Sequence, residues 1–333
     1  MSVSQVFVAD RGDAGLRLDL VLRRHLTGDA AATRSRIQGW IESGCVTVNS
    51  AVVSRVSRRA AVGDVVVAML PASAPRPVMQ AEDVALEILY EDDSLLALNK
   101  PAGVVVHPAY RNTEGTVLNA LLWRARDWPA PQRPSLVGRL DKLTSGVVIV
   151  AKTAAVHAAL QRTRDMEKDY LAVVYGRVTP SSGEIDSKLS RDLIDRRRVR
   201  ASSTIGAESL TRFERLAHVV APRAGLALLR CRLVTGRTHQ IRVHLASRGW
   251  PIVGDPVYGE PRWSFVKDPA LASALRAFPR QALHASRVTL THPVSGERLT
   301  CEAPLPRDIG DLLVLSGLTG PRRLGRRRPE RTE

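Results

Sequence analysis

The sequence predicts an α+β fold in two parts, a small helix-and-strand unit followed by a larger one rich in strands. Length is the first observation: 333 residues suggest about two domains. The second is PASAPRPVMQ, Pro71 to Gln80, which holds three prolines and no periodicity and so marks a linker. The third is that strand-like runs beyond the linker outnumber helical ones without a regular βαβ alternation. That favours α+β over a doubly wound α/β sheet.

From Leu16 to Leu26, the residues Leu18, Val21, Leu22 and Leu26 recur at spacings of three and four, one face of an amphipathic helix. A second helix is expected after Thr33, which can cap it, with Ile37, Trp40 and Ile41 on one side and Gly44 as its stop. CVTVNSAVV then reads as two short strands around Asn49-Ser50, and VGDVVVAML as another after a Gly63-Asp64 turn. These elements make one compact unit, residues 1–70, with 71–80 as the linker. In the larger unit, residues 81–316, strands are expected at Ser94–Asn99, Val147–Ala151, Tyr170–Val174, Leu226–Leu233 and Arg287–Thr291. Between Thr153 and Met166 a helical segment carries Val156 and Leu160. The tail, residues 317–333, ends in GPRRLGRRRPERTE, lacks apolar periodicity and is expected to be disordered.

Composition narrows the partners. Lys+Arg 49 against Asp+Glu 33 leaves a net charge of +16, which favours a polyanionic partner, nucleic acid ahead of a membrane surface. An arginine-rich, high-GC genome would give the same excess for no functional reason. No stretch approaches the roughly 20 apolar residues that span a bilayer. The charged start argues against a secretory signal. Cys45, Cys231 and Cys301 lie far apart with no CxxC pair, which argues against a disulfide framework and a zinc site. A cytoplasmic monomer without metal or cofactor is the expectation.

The most informative stretch is VGRLDKLTSGVVIVAKT, Val137 to Thr153. Ser135–Leu140 reads as extended, and Gly146 opens a buried apolar strand. Asp141 therefore sits on a short connection between strands, where a rigid sheet can aim a side chain into a cleft. Thr144 and Ser145 can hydrogen-bond the turn, and Gly146 permits a tight exit. Taken alone, an Asp in a turn is more often structural than chemical.

Five blocks in order carry a resemblance. GRLDKLTSG (Gly138 to Gly146) resembles the signature of pseudouridine synthases. LALNKPAGVVVHP (Leu96 to Pro108) and LVTGRTHQIRVHLASRGWPIVGDPVYG (Leu233 to Gly259) resemble the RluA type of that family. KDYLAVVYG (Lys168 to Gly176) and RQALHASRVTLTHPVSGE (Arg280 to Glu297) occupy the expected places. The blocks span essentially the whole larger unit. Two residues depart from the pattern: Gly138 stands where the RluA type usually has His, and Leu143 where an acidic residue is frequent. Both departures bear on the RNA target rather than the reaction. In the front unit, TRSRIQGWIESGCVTVN resembles the S-four-like RNA-binding domain.

The resemblance implies a mixed, mainly antiparallel catalytic sheet with a central cleft, and an isomerase that turns specific uridines of structured RNA into pseudouridine. Large-subunit ribosomal RNA is the preferred substrate, with tRNA as the other option. Asp141 corresponds to the nucleophile, which attacks the sugar or removes a sugar proton; the sequence leaves both open. Arg242 corresponds to its ion-pair partner, keeping it charged and oriented. Tyr170 corresponds to the catalytic residue that stacks on the target base and is expected to help proton transfer at carbon 5, Ile241 to an apolar wall, and Arg139 to the residue filling the space left by the flipped base. Asn99 and Lys100 are expected to shape the cleft floor, and His239 to support the substrate. Arg34, Arg36, Arg55 and Arg58 of the front unit are expected to meet RNA. The basic run DRRRVRASS (Asp195 to Ser203) suits either phosphate contact or a solvated charge run.

Two other readings compete. A noncatalytic RNA-binding or ribosome-assembly factor on the same fold would have lost Asp141 or Arg242, yet both are present. A glycoside hydrolase would need a second carboxylate, and none stands out in the matched blocks. A metal shared by His239 and His244 is disfavoured, because five residues separate them by about 140° on a helix and place them on opposite faces of a strand.

Overall fold

The computed structural model of the chain describes residues 3–26, 32–70, 79–108, 112–163, 165–192, 194–195, 198–220, 225–259 and 262–318. Most of the expected linker, the expected tail beyond residue 318, and Arg196 and Arg197 of the basic run lie outside the described residues. The chain divides into two compact units, Met1–Val78 and Met79–Glu333.

The first unit runs β1 (Val3–Val8), α1 (Leu18–His25), α2 (Arg34–Glu42), β2 (Val46–Val48), β3 (Ala51–Val52) and β4 (Val65–Leu70). Its sheet has the order β1-β4-β2-β3. Leu18 and Leu22 of α1 and Ile37 and Ile41 of α2 pack on Val46, Val48, Val66 and Ala68, so the helical stripes meet one face of the sheet. Asn49 and Ser50 turn β2 into β3 with φ of 51° and 67°. That is the primed-turn geometry that Asn favours. Thr33 stands at the head of α2, but its side chain makes no capping bond, contrary to the expectation.

The second unit runs β5 (Glu87–Glu91), β6 (Leu95–Lys100), α3 (Val117–Arg124), β7 (Ser135–Val137), β8 (Ser145–Ala151), α4 (Ala154–Arg162), β9 (Glu167–Tyr175) and β10 (Ser182–Arg191). It continues through β11 (Val199–Ser202), β12 (Ala207–Val219), β13 (Leu226–Leu233), α5 (Gln240–Ser247), α6 (Pro269–Ala277), β14 (Leu283–Thr291), β15 (Arg298–Glu302) and α7 (Arg307–Leu315). The strands form one sheet of order β11-β10-β12-β13-β9-β14-β8-β6-β5, with β15 added to β14 and β7 to β8. Among the described residues the β8–β14 pairing is parallel and the rest antiparallel.

Strand β8 divides the core. Its side chains alternate, so Val148 and Val150 enter the larger cluster with α3, while Val147, Ile149 and Ala151 enter the smaller one with Val156 and Leu160 of α4. All of β8 is buried, as an apolar run covered on both faces should be. One edge of β8 is taken by β6 along Gly146 to Ala151. The other edge is shared: β14 pairs at Ser145 and Gly146, and β7 at Ile149 to Ala151. Residues 138–144 leave the sheet where those two partners part. Gly146 makes the close approach possible, since its φ is +115° and a Cβ there would lie 2.1 Å from the Ala285 carbonyl oxygen.

Two buried histidines tie elements together. His244 of α5 bonds Ser187 and Ser209 through Nε2 at 3.0 and 2.9 Å and Thr211 through Nδ1 at 2.9 Å, fixing the helix to β10 and β12. His284 of β14 accepts from Ser145 of β8 at 3.0 Å and donates to the Ala303 carbonyl at 3.4 Å. Burial pushes both imidazoles down to about 4, from an ordinary 6.5. Between pH 6.5 and about 4 the unfolded chain therefore binds these protons and the native chain does not. Stability is expected to fall as pH drops through that window, by at most about 1.4 kcal/mol per pH unit for each histidine. Urea unfolding at pH 6.5, 5.5 and 4.5 checks this, and His244→Gln should flatten the slope. A pH-independent unfolding free energy across the window would contradict it.

Candidate active site

Asp141 projects from the segment that leaves the sheet between β7 and β8. Gly138, with φ +91°, turns the chain out of β7, and so the extended stretch expected to reach Leu140 stops at Val137. The segment is clamped by its own backbone. Thr144 N–H donates to the Asp141 carbonyl at 3.0 Å, and Gly103 N–H to that of Lys142 at 2.8 Å. Two buried cations add contacts to carbonyls of this segment and of the loop beside it. Lys100 Nζ reaches the oxygens of Pro101, Val104 and Lys142 at 2.7, 2.8 and 3.2 Å. Arg280 reaches the Leu143 oxygen at 3.4 Å, while its fork grips Asp308 at the start of α7 at 2.6 and 2.8 Å. Gln281 donates to Thr144 Oγ1 at 3.1 Å.

The expectation that Asn99 and Lys100 form the cleft floor is corrected by this arrangement. Asn99 donates to Glu87 at 2.8 Å, and Lys100 is fully buried beneath the segment. Neither lines the cleft. The alternation of β6 is the reason: Leu96 and Leu98 supply the core face, and Lys100 follows them inward at the strand's end. Burial, and then the charge of Arg280, push the Lys100 ammonium down to about 7.

Opposite Asp141, α5 begins. Its first turn is held by Gln240, whose amide accepts from Thr235 Oγ1 and Arg237 N–H at 2.9 and 3.0 Å. The same amide donates to the Leu210 oxygen and Thr211 Oγ1 at 3.0 Å each. Arg242 follows on the next residues of that turn. One terminal nitrogen donates to Asp141 Oδ2 at 2.8 Å. Its Nε and other terminal nitrogen donate to the two oxygens of Asp255 at 2.7 and 2.8 Å. Asp255 also accepts from the amides of Val257 and Tyr258 at 2.9 and 3.0 Å. Burial alone would raise Asp255, but Arg242 and these amides outweigh it and hold the carboxyl below its ordinary range. Burial would likewise lower Arg242, and the two carboxylates raise it instead.

Asp255 lies inside the Leu233–Gly259 block, but nothing in the sequence pattern marks it as a companion carboxylate. It is no second catalytic acid, because its side chain is fully buried and both oxygens are occupied. The hydrolase reading gains nothing from it.

The cleft has a volume of about 650 Å³ and is lined by Arg139, Asp141, Lys168, Tyr170, His239, Ile241 and Arg242, among others. Tyr170 and Ile241 are buried, and Arg139 is exposed. Burial, helped by the charge of Asp141, raises the Tyr170 phenol, so it stays protonated at neutral pH. His239 precedes α5 in the left-handed region, φ 56°. Its separation from His244 thus comes from a turn rather than from helical spacing. His239 Nδ1 lies 3.0 Å from the Tyr258 hydroxyl, which already accepts from Val199 N–H at 2.7 Å. His239 Nε2, on the other side of the ring, lies 3.9 Å from Asp141 Oδ2. Burial is the main cause of the lowered His239 pKa, opposed by the charge of Asp141.

The front-unit arginines belong to a separate unit. Arg34 and Arg55 are exposed. Arg34 lies 3.7 Å from buried Asp19, and Arg58 lies 3.7 Å from Asp64. Arg36 is partly buried and is not without interactions. No helix among the described residues is long and apolar enough to cross a membrane.

Residues 94–247 match the family model described as RNA pseudouridylate synthase. The ribosomal large subunit pseudouridine synthase D of Nitrosomonas europaea is 42% identical over 303 residues, 90% of this chain and 84% of that one. The protein of the same name from Pseudomonas aeruginosa is 40% identical, covering 85% of this chain and 87% of that one. The one from Xanthomonas campestris is 39% identical, covering 94% and 92%. Among solved structures, human RNA pseudouridylate synthase domain containing 4 superposes with a TM-score of 0.55 at 25% identity, covering 69% of this chain and 93% of that one.

The unequal sharing of Arg242 makes a prediction. Asp255→Ala leaves a buried guanidinium half-paired and is expected to lose about 3 kcal/mol of stability or more. Asp141→Ala removes one bond at a side chain 18% exposed and should cost clearly less. Denaturant melts of the two variants rank them; an Asp141→Ala loss equal to or above that of Asp255→Ala would contradict the arrangement.

Proposed function

This chain belongs to the RluA-type family of RNA pseudouridine synthases, and we propose that Asp141 is its nucleophile toward uridines of large-subunit ribosomal RNA. The membership rests on the relatives near 40% identity across most of the chain. The RNA class is carried over from their printed names, and the residue from the geometry of Asp141. The observation that supports it most is a partly exposed carboxylate at a cleft wall, held by one bond from an arginine whose other donors are fixed elsewhere.

The reaction breaks the bond between ribose C1′ and uracil N1 and makes one from C1′ to C5; the C5 hydrogen leaves as a proton and N1 takes one up, so the formula is unchanged. No redox change and no donor molecule is needed. Asp141 either adds to C1′ or takes a proton from the ribose, and both routes use its free oxygen. The Arg242 bond fixes that carboxylate's direction before substrate arrives. Tyr170 and Ile241 suit the two faces of a uracil lifted from its stack. A protonated phenol serves as a flat neutral wall, so removal of the C5 proton at neutral pH falls to another base or to water. Arg139, exposed at the cleft, suits the gap that the flipped base leaves in the RNA. Arg34, Arg36, Arg55 and Arg58 would hold phosphates through the front unit.

The C5 hydrogen supplies the test. Transcripts of large-subunit ribosomal RNA labelled with tritium at uridine C5 should release tritium to water with the intact protein. Asp141→Asn is expected to lower that release by about a thousandfold or more while changing RNA affinity by about threefold at most. Release at a rate near wild type would remove Asp141 from the nucleophile's role.

A further inference from the structure

Lys168 stands in the cleft without a counter-ion. It is the second residue of β9 and lines the cleft beside Gly138, where a Cβ would lie 3.2 Å from its Nζ. The neighbouring carboxylates do not serve it. Glu167 and Asp169 alternate to the opposite face of the strand, where Arg232 bonds both and Arg298 adds a second contact to Glu167. Asp141 is already bonded by Arg242. Among the described residues the Lys168 side chain has neither a hydrogen bond nor an ion pair, and burial alone lowers its ammonium.

A cation that has lost water and gained no partner is costly to the free protein. A ligand that brings a negative charge would offset that cost; a neutral uracil carbonyl would offset much less of it. Position supports the same choice. Lys168 and Tyr170 share a strand face, about 6–7 Å apart along it. Tyr170 is buried, whereas Gln161 and Thr163, which line the cleft with Lys168, are exposed. The lysine thus lies toward the mouth when the tyrosine lies deep, the order in which a flipped nucleotide presents phosphate and base.

We propose that Lys168 is a substrate-binding residue that grips a phosphate flanking the target uridine while the base lies against Tyr170. The proposal rests on the reading of the cleft given above. It makes Lys168 an anchor for the RNA backbone and separates it from the Arg242 pair, which acts on the carboxylate.

The test uses the full chain and a ribosomal RNA transcript from which wild type releases tritium. That release upholds the catalytic reading whichever way Lys168 behaves. The transcript is then rebuilt with an uncharged methylphosphonate at each phosphate flanking the target, one at a time. Wild type should lose about tenfold in kcat/KM at one of the two positions. Lys168→Met should lose about as much on the natural RNA, mostly through KM, and nothing further at that position. Its binding should also show a salt slope smaller by about one. Lys168→Arg should restore sensitivity to the neutralised phosphate. Should the methionine variant fail to fold, Lys168→Gln gives the same readout. If the variant keeps the full wild-type loss on the methylphosphonate RNA, or if only kcat falls with the salt slope unchanged, the phosphate role is overturned.

Discussion

Arg242 is asked to satisfy two carboxylates with one guanidinium, and the division is unequal. Two of its donors go to Asp255, a fully buried residue whose oxygens also take two backbone amides. Only one reaches Asp141. The buried pair fixes the guanidinium, and the guanidinium fixes the direction of a carboxylate that still faces the cleft. A planar fork can do this and an ammonium cannot, because Lys offers a point charge without two parallel donors. The helix that carries Arg242 is in turn tied down by Gln240 and His244.

The other half of the site depends on how the sheet splits. Strand β8 gives one edge to β14 and then to β7, and the segment bearing Asp141 is extruded where they separate. Such an exit would be loose if left to itself. Here Lys100 and Arg280 take its carbonyls from below. Cations that face backbone oxygens, not substrate, thus set the precision of the carboxylate's position. Arg280 extends that support to α7 through Asp308, so the last described helix of the chain bears on the geometry of a segment far earlier in sequence.

Much of this was legible beforehand, and the reason differs by residue. Strands such as Val147–Ala151 announce themselves because both faces are apolar, and Asp141 because a glycine-bounded turn precedes a buried run. The ordered blocks then bring Arg139, Asp141, Tyr170, His239, Ile241 and Arg242 to one cleft. What failed was direction. Lys100 reads as a polar residue beside the site, but alternation turned it inward to carbonyls instead of substrate. Long strands such as β10 and β12 were missed because their outer faces are charged and irregularly spaced. Asp255 was passed over because its partner lies thirteen residues back, across a turn that pattern alone does not fold. Lys168 drew no notice for a similar reason: a lysine's lack of partners is visible only once its neighbours' side chains have been placed.

The central claim is that one carboxylate, Asp141, held by Arg242, isomerises uridine in ribosomal RNA. The most direct measurement maps pseudouridine in total RNA from cells with the intact gene, with the gene deleted, and with the Asp141→Asn variant in its place. The same one or few large-subunit sites should vanish in both altered strains and in no other RNA. An unchanged map after deletion, or a full map with Asp141→Asn, would contradict the account.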